Sequence, residues 1–579
     1  MTHEPLRAVP PPHATQAAPP PGNHRRRRAV PGARRRLALL AAGLAVACGA
    51  ALAPLALPGC GGALSLGNPG TPGGISSPLT AEDVTKIIAA AAGSLTQPLV
   101  IAVVDREGNI LGLFRKNGAP DTVPVFLVGQ TRTVNANELA VALARTGAFF
   151  GNDQSPLTSR TIRFISREHF PPLFGPDGRT TGVNFTPSGD LWNIESTNRG
   201  CTLSLEFNPG QDVPPARSID GTGPGLGIAT VPGGIPLYKF SKAVGGIGVC
   251  GAVGPTHEDR ANLAEFAAFA GSFGAGFGLQ PLPPREIFLF SVRLPIVEQD
   301  GRPFGTVGES FTDLSEIGAF VPVPDLVLPG ALVAEPQDAP RLKVSEGWLV
   351  GPLSSPELRD TEVRGIITRC IARARETRAA IRLPLEAHAR MVIAVGDLEG
   401  RILGLYRMED ATVFSIDVAA TKARNAVYFS GFDRSPLDLP GVPLGTAVTA
   451  RTLRFGSQPF FPAGIQSTTP GPFYPLLVQN YENPCTQGYQ PAAPNQSGIV
   501  FFPGSAPLYR GGLVLIGGLG VSGDGVDQDD RVTGAGIVGY EAAPLIRADR
   551  ITIRGVRLPY MKDPRSAGVD IISDRPGGD

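Results

Sequence analysis

The chain is poor in the groups that usually mark a catalytic or metal centre. Only six of its 579 residues are histidine, and His169, His257 and His388 alone lie beyond the amino-terminal segment. No two of these three share a helical or hairpin spacing, so a histidine-rich metal site has no support. G-x-S-x-G, H-E-x-x-H and Walker A patterns are all absent, which removes the usual sequence signs of a serine nucleophile, a zinc protease or a nucleotide loop. Net charge is only +1, too little to point to nucleic acid. Nothing here argues for catalysis.

Acid is also scarce at one end. Residues 1–59 carry eight arginines (Arg7, Arg25 to Arg28, Arg34 to Arg36) and one acid, Glu4. A charge-free apolar run, 37–57, follows and leads into Leu57-Pro58-Gly59-Cys60. A basic region, an apolar core and a small residue make an export-signal order. The last four residues resemble a bacterial lipoprotein cleavage box, with Cys60 as the lipidated residue. Residues 1–60 are therefore expected to form an export leader, and 61–78, rich in Gly, Pro and Ser, a flexible tether. The expected location is periplasmic or cell-surface, on a membrane through the lipid anchor. A transmembrane anchor is the competing reading of the same run.

What is plentiful is apolar surface, glycine and proline: 42% hydrophobic residues, 73 Gly and 58 Pro. Sizeable cores with many turns and long loops follow from that composition. Within it one pattern occurs twice. Residues 98–115 read PLVIAVVDREGNILGLFR, and 391–407 read MVIAVGDLEGRILGLYR. Each is an apolar run, Asp-x-Glu-Gly, then a second apolar run. Asp first and Gly fourth suit a tight hairpin turn. Further echoes keep the same order. Arg160-Thr161-Ile162-Arg163-Phe164 recurs as Arg451-Thr452-Leu453-Arg454-Phe455, Ile235-Pro236-Leu237-Tyr238 as Ala506-Pro507-Leu508-Tyr509, and Gly245 to Gly251 as Gly517 to Gly523. Ordered echoes with drifting offsets imply a duplicated domain: repeat 1 at 79–297, an inter-repeat linker at 298–356, repeat 2 at 357–562 and a loose tail at 563–579.

Each copy reads helix, two strands, helix, Gly-rich strands, helix, strand. Thr80-Ala81-Glu82-Asp83 is a capping box, and Val84, Ile87, Ile88, Ala91, Ala92 and Leu95 make one apolar helix face. The predicted class is α+β, an α/β sandwich in which each antiparallel sheet is packed with helices. The stretch 175–227, rich in Gly, Pro and Asn, is expected to be a surface insertion.

These residues resemble the GlcG/HbpS family, the haem-binding module also found at the carboxy-terminus of PduO proteins. The resemblance is carried by the hairpin A-V-V-D-x-x-G-x-I-L, the helix Ser415 to Arg424 (S-x-D-x-A-x-x-K-A-R), the G-G-I-G-V-x-G strand and T-x-E-D. It implies a tandem, secreted version of the module that binds haem or a similar planar apolar ligand. It also implies homo-oligomers of the kind several members form, and the chain's own two repeats are expected to pack as a pseudo-dimer. Repeat 1 departs from the pattern: Glu138-Leu139-Ala140-Val141-Ala142-Leu143-Ala144-Arg145 replaces that helix. It is expected to have lost whatever the helix contacts. The competing functions are a ligand-free scaffold built on the pseudo-dimer and, last, an enzyme acting on a small organic acid.

Haem needs an axial ligand in an apolar pocket, and His169, His257 and His388 are the candidates. Arg160, Arg163, Arg451 and Arg454 can pair with haem propionates; the bland alternative is a strand face, solvated or paired internally. Gly246 to Gly251 and Gly518 to Gly523 fit G-x-G-x-x-G, but late in each repeat, where close backbone packing explains them better than a dinucleotide. Asp524, Asp527, Asp529 and Asp530 miss the EF-hand spacing and suit a helix start. Cys201 and Cys485 lie in comparable irregular segments and can pair in an oxidising compartment, whereas Cys250 and Cys370 read as buried thiols.

Overall fold

The computed structural model describes residues 79–562 apart from 128–129, 168–169, 173–187, 202–216, 280–286, 299–312, 325–331, 334–345, 385, 466–467, 492 and 494. All lie in one compact unit, Leu66–Asp579. The leader with Cys60, the tail and His169 fall outside the described residues. Among those described, no helix is long and apolar enough to cross a membrane.

The first half runs α1 (Ala81–Gly93), β1 (Val100–Asp105), β2 (Ile110–Lys116), β3 (Thr122–Leu127), β4 (Gln130–Asn135), α2 (Ala136–Phe150), α3 (Ser159–Phe164), β5 (Gly234–Lys239), β6 (Lys242–Cys250) and α4 (His257–Gly274). A small hairpin, β7 (Phe288–Leu289) and β8 (Val292–Arg293), follows, then β9 (Gly318–Phe320), β10 (Val323–Pro324), β11 (Leu332–Val333) and β12 (Gly347–Val350). The second half has α5 (Asp360–Arg375), β13 (Met391–Gly396), β14 (Ile402–Arg407), α6 (Phe414–Ser430), α7 (Ala450–Gly456), α8 (Tyr474–Glu482), β15 (Ser505–Arg510), β16 (Val514–Gly523), α9 (Val526–Gly536), β17 (Thr552–Ile553) and β18 (Val556–Arg557).

The two five-stranded sheets have one strand order. The first is β5-β6-β1-β2-β9; the second, read from the same end, is β15-β16-β13-β14-β12. All neighbours are antiparallel, and the central hairpins share a register. Val100 to Val103 face Arg115 to Gly112, Val392 to Val395 face Arg407 to Gly404, and both ladders slip at the next step. The turn works as its residues dictate. Asp105 Oδ1 accepts from the Glu107 and Asn109 amides, Asp397 Oδ1 from those of Glu399 and Arg401. Gly108 and Gly400 both sit at φ 86°, where a side chain is disfavoured.

Alternate residues of β1 enter different cores. Leu99, Ile101 and Val103 pack with Val84, Ile87 and Phe269 of α1 and α4. Val100, Ala102 and Val104 pack with Leu139, Ala140 and Leu143 of α2. Helices thus cover both faces, which is why the strand is apolar throughout rather than alternating. The glycines of β6 permit this closeness. A Cβ at Gly246 or Gly248 would strike the carbonyl oxygens of Ala144 and Ala140, and Gly518 and Gly520 stand in the same relation to Ala423 and Ala419. The G-x-G pattern is a sheet–helix contact.

Three local expectations change. The linker is not only a joiner, for it supplies an edge strand to each sheet, β9 and β12. The closing strand of each repeat is a two-residue hairpin, β7–β8 and β17–β18. Residues 188–198 of the 175–227 insertion are mostly buried: Trp192, Ile194, Ser196 and Asn198 are inside, and this stretch packs on the second half. Asn198 donates its amide to Asp417 Oδ2 (3.0 Å), Arg454 reaches the Ser188 and Gly189 carbonyls (2.9 and 2.8 Å), and a disulfide joins Cys201 to Cys485. Elsewhere the halves meet through Phe150 stacked on Phe414, with centroids 4.0 Å apart, and through the Val413 amide on the Phe149 carbonyl. Arg382, 1% exposed, holds Asp524 (2.5 Å) and Asp410 (2.6 Å) of its own half and Asn152 and Gln154 of the other.

Candidate functional site

In each half a cavity opens at the same place, where the last residues of the long Gly-rich strand meet the start of the following helix. The first is a cleft partly open to solvent. Thr256 caps α4 by accepting from the Asp259 amide (3.0 Å) while Asp259 accepts from Thr256 (3.1 Å). That fixed first turn presents His257, Arg260, Ala261 and Ala264 to the cavity along one face. Leu139 and Leu143 of α2, Val249 and Cys250 of β6, Val123 to Phe126 of β3 and Arg163 of α3 complete the wall. It is apolar with three basic side chains, and no Asp or Glu among the described residues lines it.

Arg163 is buried, and burial, helped by the neighbouring Arg167, holds its ionisation well below the usual guanidinium range. Arg260 donates to the Gly254 carbonyl (3.3 Å) and meets His257 Nδ1 at 2.8 Å. The Cys250 thiol donates to the Ala136 carbonyl (3.1 Å), and burial pushes it up to about 12.

The second cavity is smaller and lies between the halves. Phe502, Ser522, Gly523, Gly525, Val526 and Asp529 line it from the second half, and Phe150, Ile165, Asp190, Leu191 and Leu289 from the first. Strand register makes Gly248 and Gly520 equivalent, so Ser522 stands where Cys250 does. Gly233 has Leu143 and Ala264 beside it; Gly504 has Lys422 and Asp529. A buried ion pair in one half is thus a leucine and an alanine in the other. Lys422 Nζ donates to Asp529 Oδ2 (3.0 Å) and the Val521 carbonyl (2.7 Å), above the Phe502 ring. Burial raises the Asp529 carboxyl to about 7 and lowers Lys422, so the pair is drawn toward its neutral form.

The remaining candidates disperse. Arg160 is engaged by Glu265 (2.9 Å) and Glu298 (3.1 Å), Arg451 by Asp530 (2.5 Å) and Asp527 (2.9 Å), and Arg454 by the insertion. All four arginines sit on short helices, α3 and α7, not on a strand face. Of the four, Arg163 lines the first cavity. His388 bridges Arg378 and lines neither cavity; burial and the cations Arg390, Arg375 and Arg382 lower its proton affinity. The acidic cluster does open α9, but Asp524 and Asp529 also each take a buried cation, and Asp530 takes the partly buried Arg451. The loss in repeat 1 is narrower than expected. Arg145 reaches the Gly108 carbonyl as Arg424 reaches that of Gly400, so only the lysine of the K-A-R motif is replaced. Arg260 was legible in principle, three residues after His257 on a capped helix.

Comparison places these features. Residues 370–538 match the family model described as "Haem degrading protein HbpS-like". No curated protein matches the chain. Two solved structures are similar to parts of it. A crystal structure of a PduOC:Heme complex shares 22% identity over 32% of this chain and 96% of its own, with a TM-score of 0.21. That of Klebsiella pneumoniae protein ORFY, of family model DUF336, shares 19% identity over 31% of this chain and 87% of its own, with a TM-score of 0.20. Through residues 370–538, in its second half, the chain is similar to the HbpS-like family.

Proposed function

We propose that the chain is an exported, non-catalytic protein that binds haem or a similar planar apolar acid in the cavity of its first half. One observation carries the reading: a cleft with apolar walls, Arg163, Arg260 and His257 for its basic groups and no acid in its described lining. Apolar walls with a few convergent polar groups are the usual make-up of a small-molecule site. The family description, which names haem, matches residues 370–538 in the second half and supports the choice of ligand for the first half through the duplication. A bound haem would supply its iron's electron and oxygen chemistry; the chain's own residues bind, orient and shield. Arg163 and Arg260 suit the carboxylates, and Val123, Phe126, Leu139 and Leu143 suit a ring edge. The leader's composition supports export, with Cys60 as lipid anchor. Titration with haemin should produce a saturable Soret band that persists under reductant. No band would favour a scaffold, a reading supported by the contacts and disulfide that join the halves. Bleaching with time would point to the degradation named in the family description.

A further inference from the structure

We propose that the first cavity selects its ligand by a carboxylate on an apolar body, and that the described residues lining it leave iron uncoordinated. This rests on the tetrapyrrole reading above and narrows it. His257 Nδ1 lies 2.8 Å from an Arg260 nitrogen. A guanidinium can only donate, so Nδ1 accepts, and in the neutral ring the proton sits on Nε2. Imidazole binds a metal through an unprotonated nitrogen. With one nitrogen engaged and the other protonated, His257 offers iron nothing while Arg260 stays in place. Cys250 is held as a thiol by its bond to the Ala136 carbonyl and by burial, and only the thiolate is a good ligand. The rest of the described lining is aliphatic, Phe, Gly, Pro and two arginines.

Those arginines are built for an acid. A guanidinium fork matches a carboxylate, and an anion beside Arg163 would add to the pull of Glu258 and Glu195 against the burial and the Arg167 charge that lower its ionisation. The second half lacks this equipment. Gly525 and Asp529 line its cavity where Arg260 and Ala264 line the first. Binding should therefore be one ligand per chain.

The test titrates the full chain with haemin, protoporphyrin IX and protoporphyrin dimethyl ester, which keeps the ring and masks the acids. Haemin and the free acid should bind within about threefold of each other, and the ester about tenfold or more weaker. Arg260→Gln should weaken the free acid about tenfold and leave the ester unchanged; Arg260→Lys, which keeps the charge without the fork, should fall between, and far-UV circular dichroism checks that both fold. Haemin binding more than about tenfold tighter than the free acid, or an ester equal to it, would overturn the inference while leaving the tetrapyrrole reading intact. If none of the three binds, both fall.

Discussion

Lys422 and Asp529, against Leu143 and Ala264, show two solutions to one packing problem. Breaking a buried pair from one side leaves a charge without its partner, which costs roughly 3–5 kcal/mol, whereas replacing both groups is often near neutral. Lys422→Leu alone should therefore destabilise by that order. Lys422→Leu with Asp529→Ala, which copies the first half, should recover most of the loss. Urea unfolding midpoints of the two variants check this, and equal losses would contradict it. A second residue-scale prediction concerns acid. Burial lifts the Asp105 carboxyl to about 6 against the pull of the Asn109 and Glu107 hydrogen bonds. A folded-state value above the unfolded one means the native state holds the extra proton. The resulting stability is full below about pH 4 and is lost as pH rises through about 6, by at most roughly 3 kcal/mol. Asp105→Asn should flatten the stability profile across that window, and an unchanged slope would contradict it.

At the scale of elements, helix and sheet approach each other only where side chains are missing. A methyl at Gly248 would strike the Ala140 carbonyl, which belongs to backbone and cannot swing aside. Gly248→Ala should lower stability by roughly 3 kcal/mol or more, read as a fall in melting temperature; Gly351→Ala, with nothing nearby and no positive φ, controls for loss of glycine itself. Much of this layer was legible in the sequence. The paired apolar runs about Asp-x-Glu-Gly specify the hairpins, and the capping threonines and 3.6-residue periodicity specify α1 and α4. The short helices were not, because Arg-Thr-Ile-Arg-Phe alternates polar and apolar like a strand. Their sign was the Thr158–Thr161 and Thr449–Thr452 capping pairs. The edge strands β9 and β12 are too short to carry a period, and they form because a neighbouring strand needs partners. The cavity was half legible: His257 and Arg163 were named, but only tertiary packing brings them together with Arg260 and β3.

At the scale of the whole molecule, the insertion acts as a clasp. Composition alone suggested surface, since Gly, Pro and Asn mark loops wherever they lie; burial came from a partner module that composition cannot reveal. The Cys201–Cys485 link closes a loop of 284 residues in sequence separation. Loop-closure entropy assigns such a bridge about 5 kcal/mol as an upper figure. Replacing both cysteines by serine should lower the denaturation midpoint substantially while the sheets persist; an unchanged midpoint would show that the halves hold together without it.

Stoichiometry and place of binding test the central claim together. The variant Leu143→Lys with Ala264→Asp rebuilds in the first cavity the ion pair that the second half carries. Haemin titration followed at the Soret band should reach saturation at one equivalent on the natural chain and show no saturable binding on this variant, with folding verified by circular dichroism. Undiminished binding by the folded variant, or two equivalents on the natural chain, would contradict the assignment of the ligand to the first cavity.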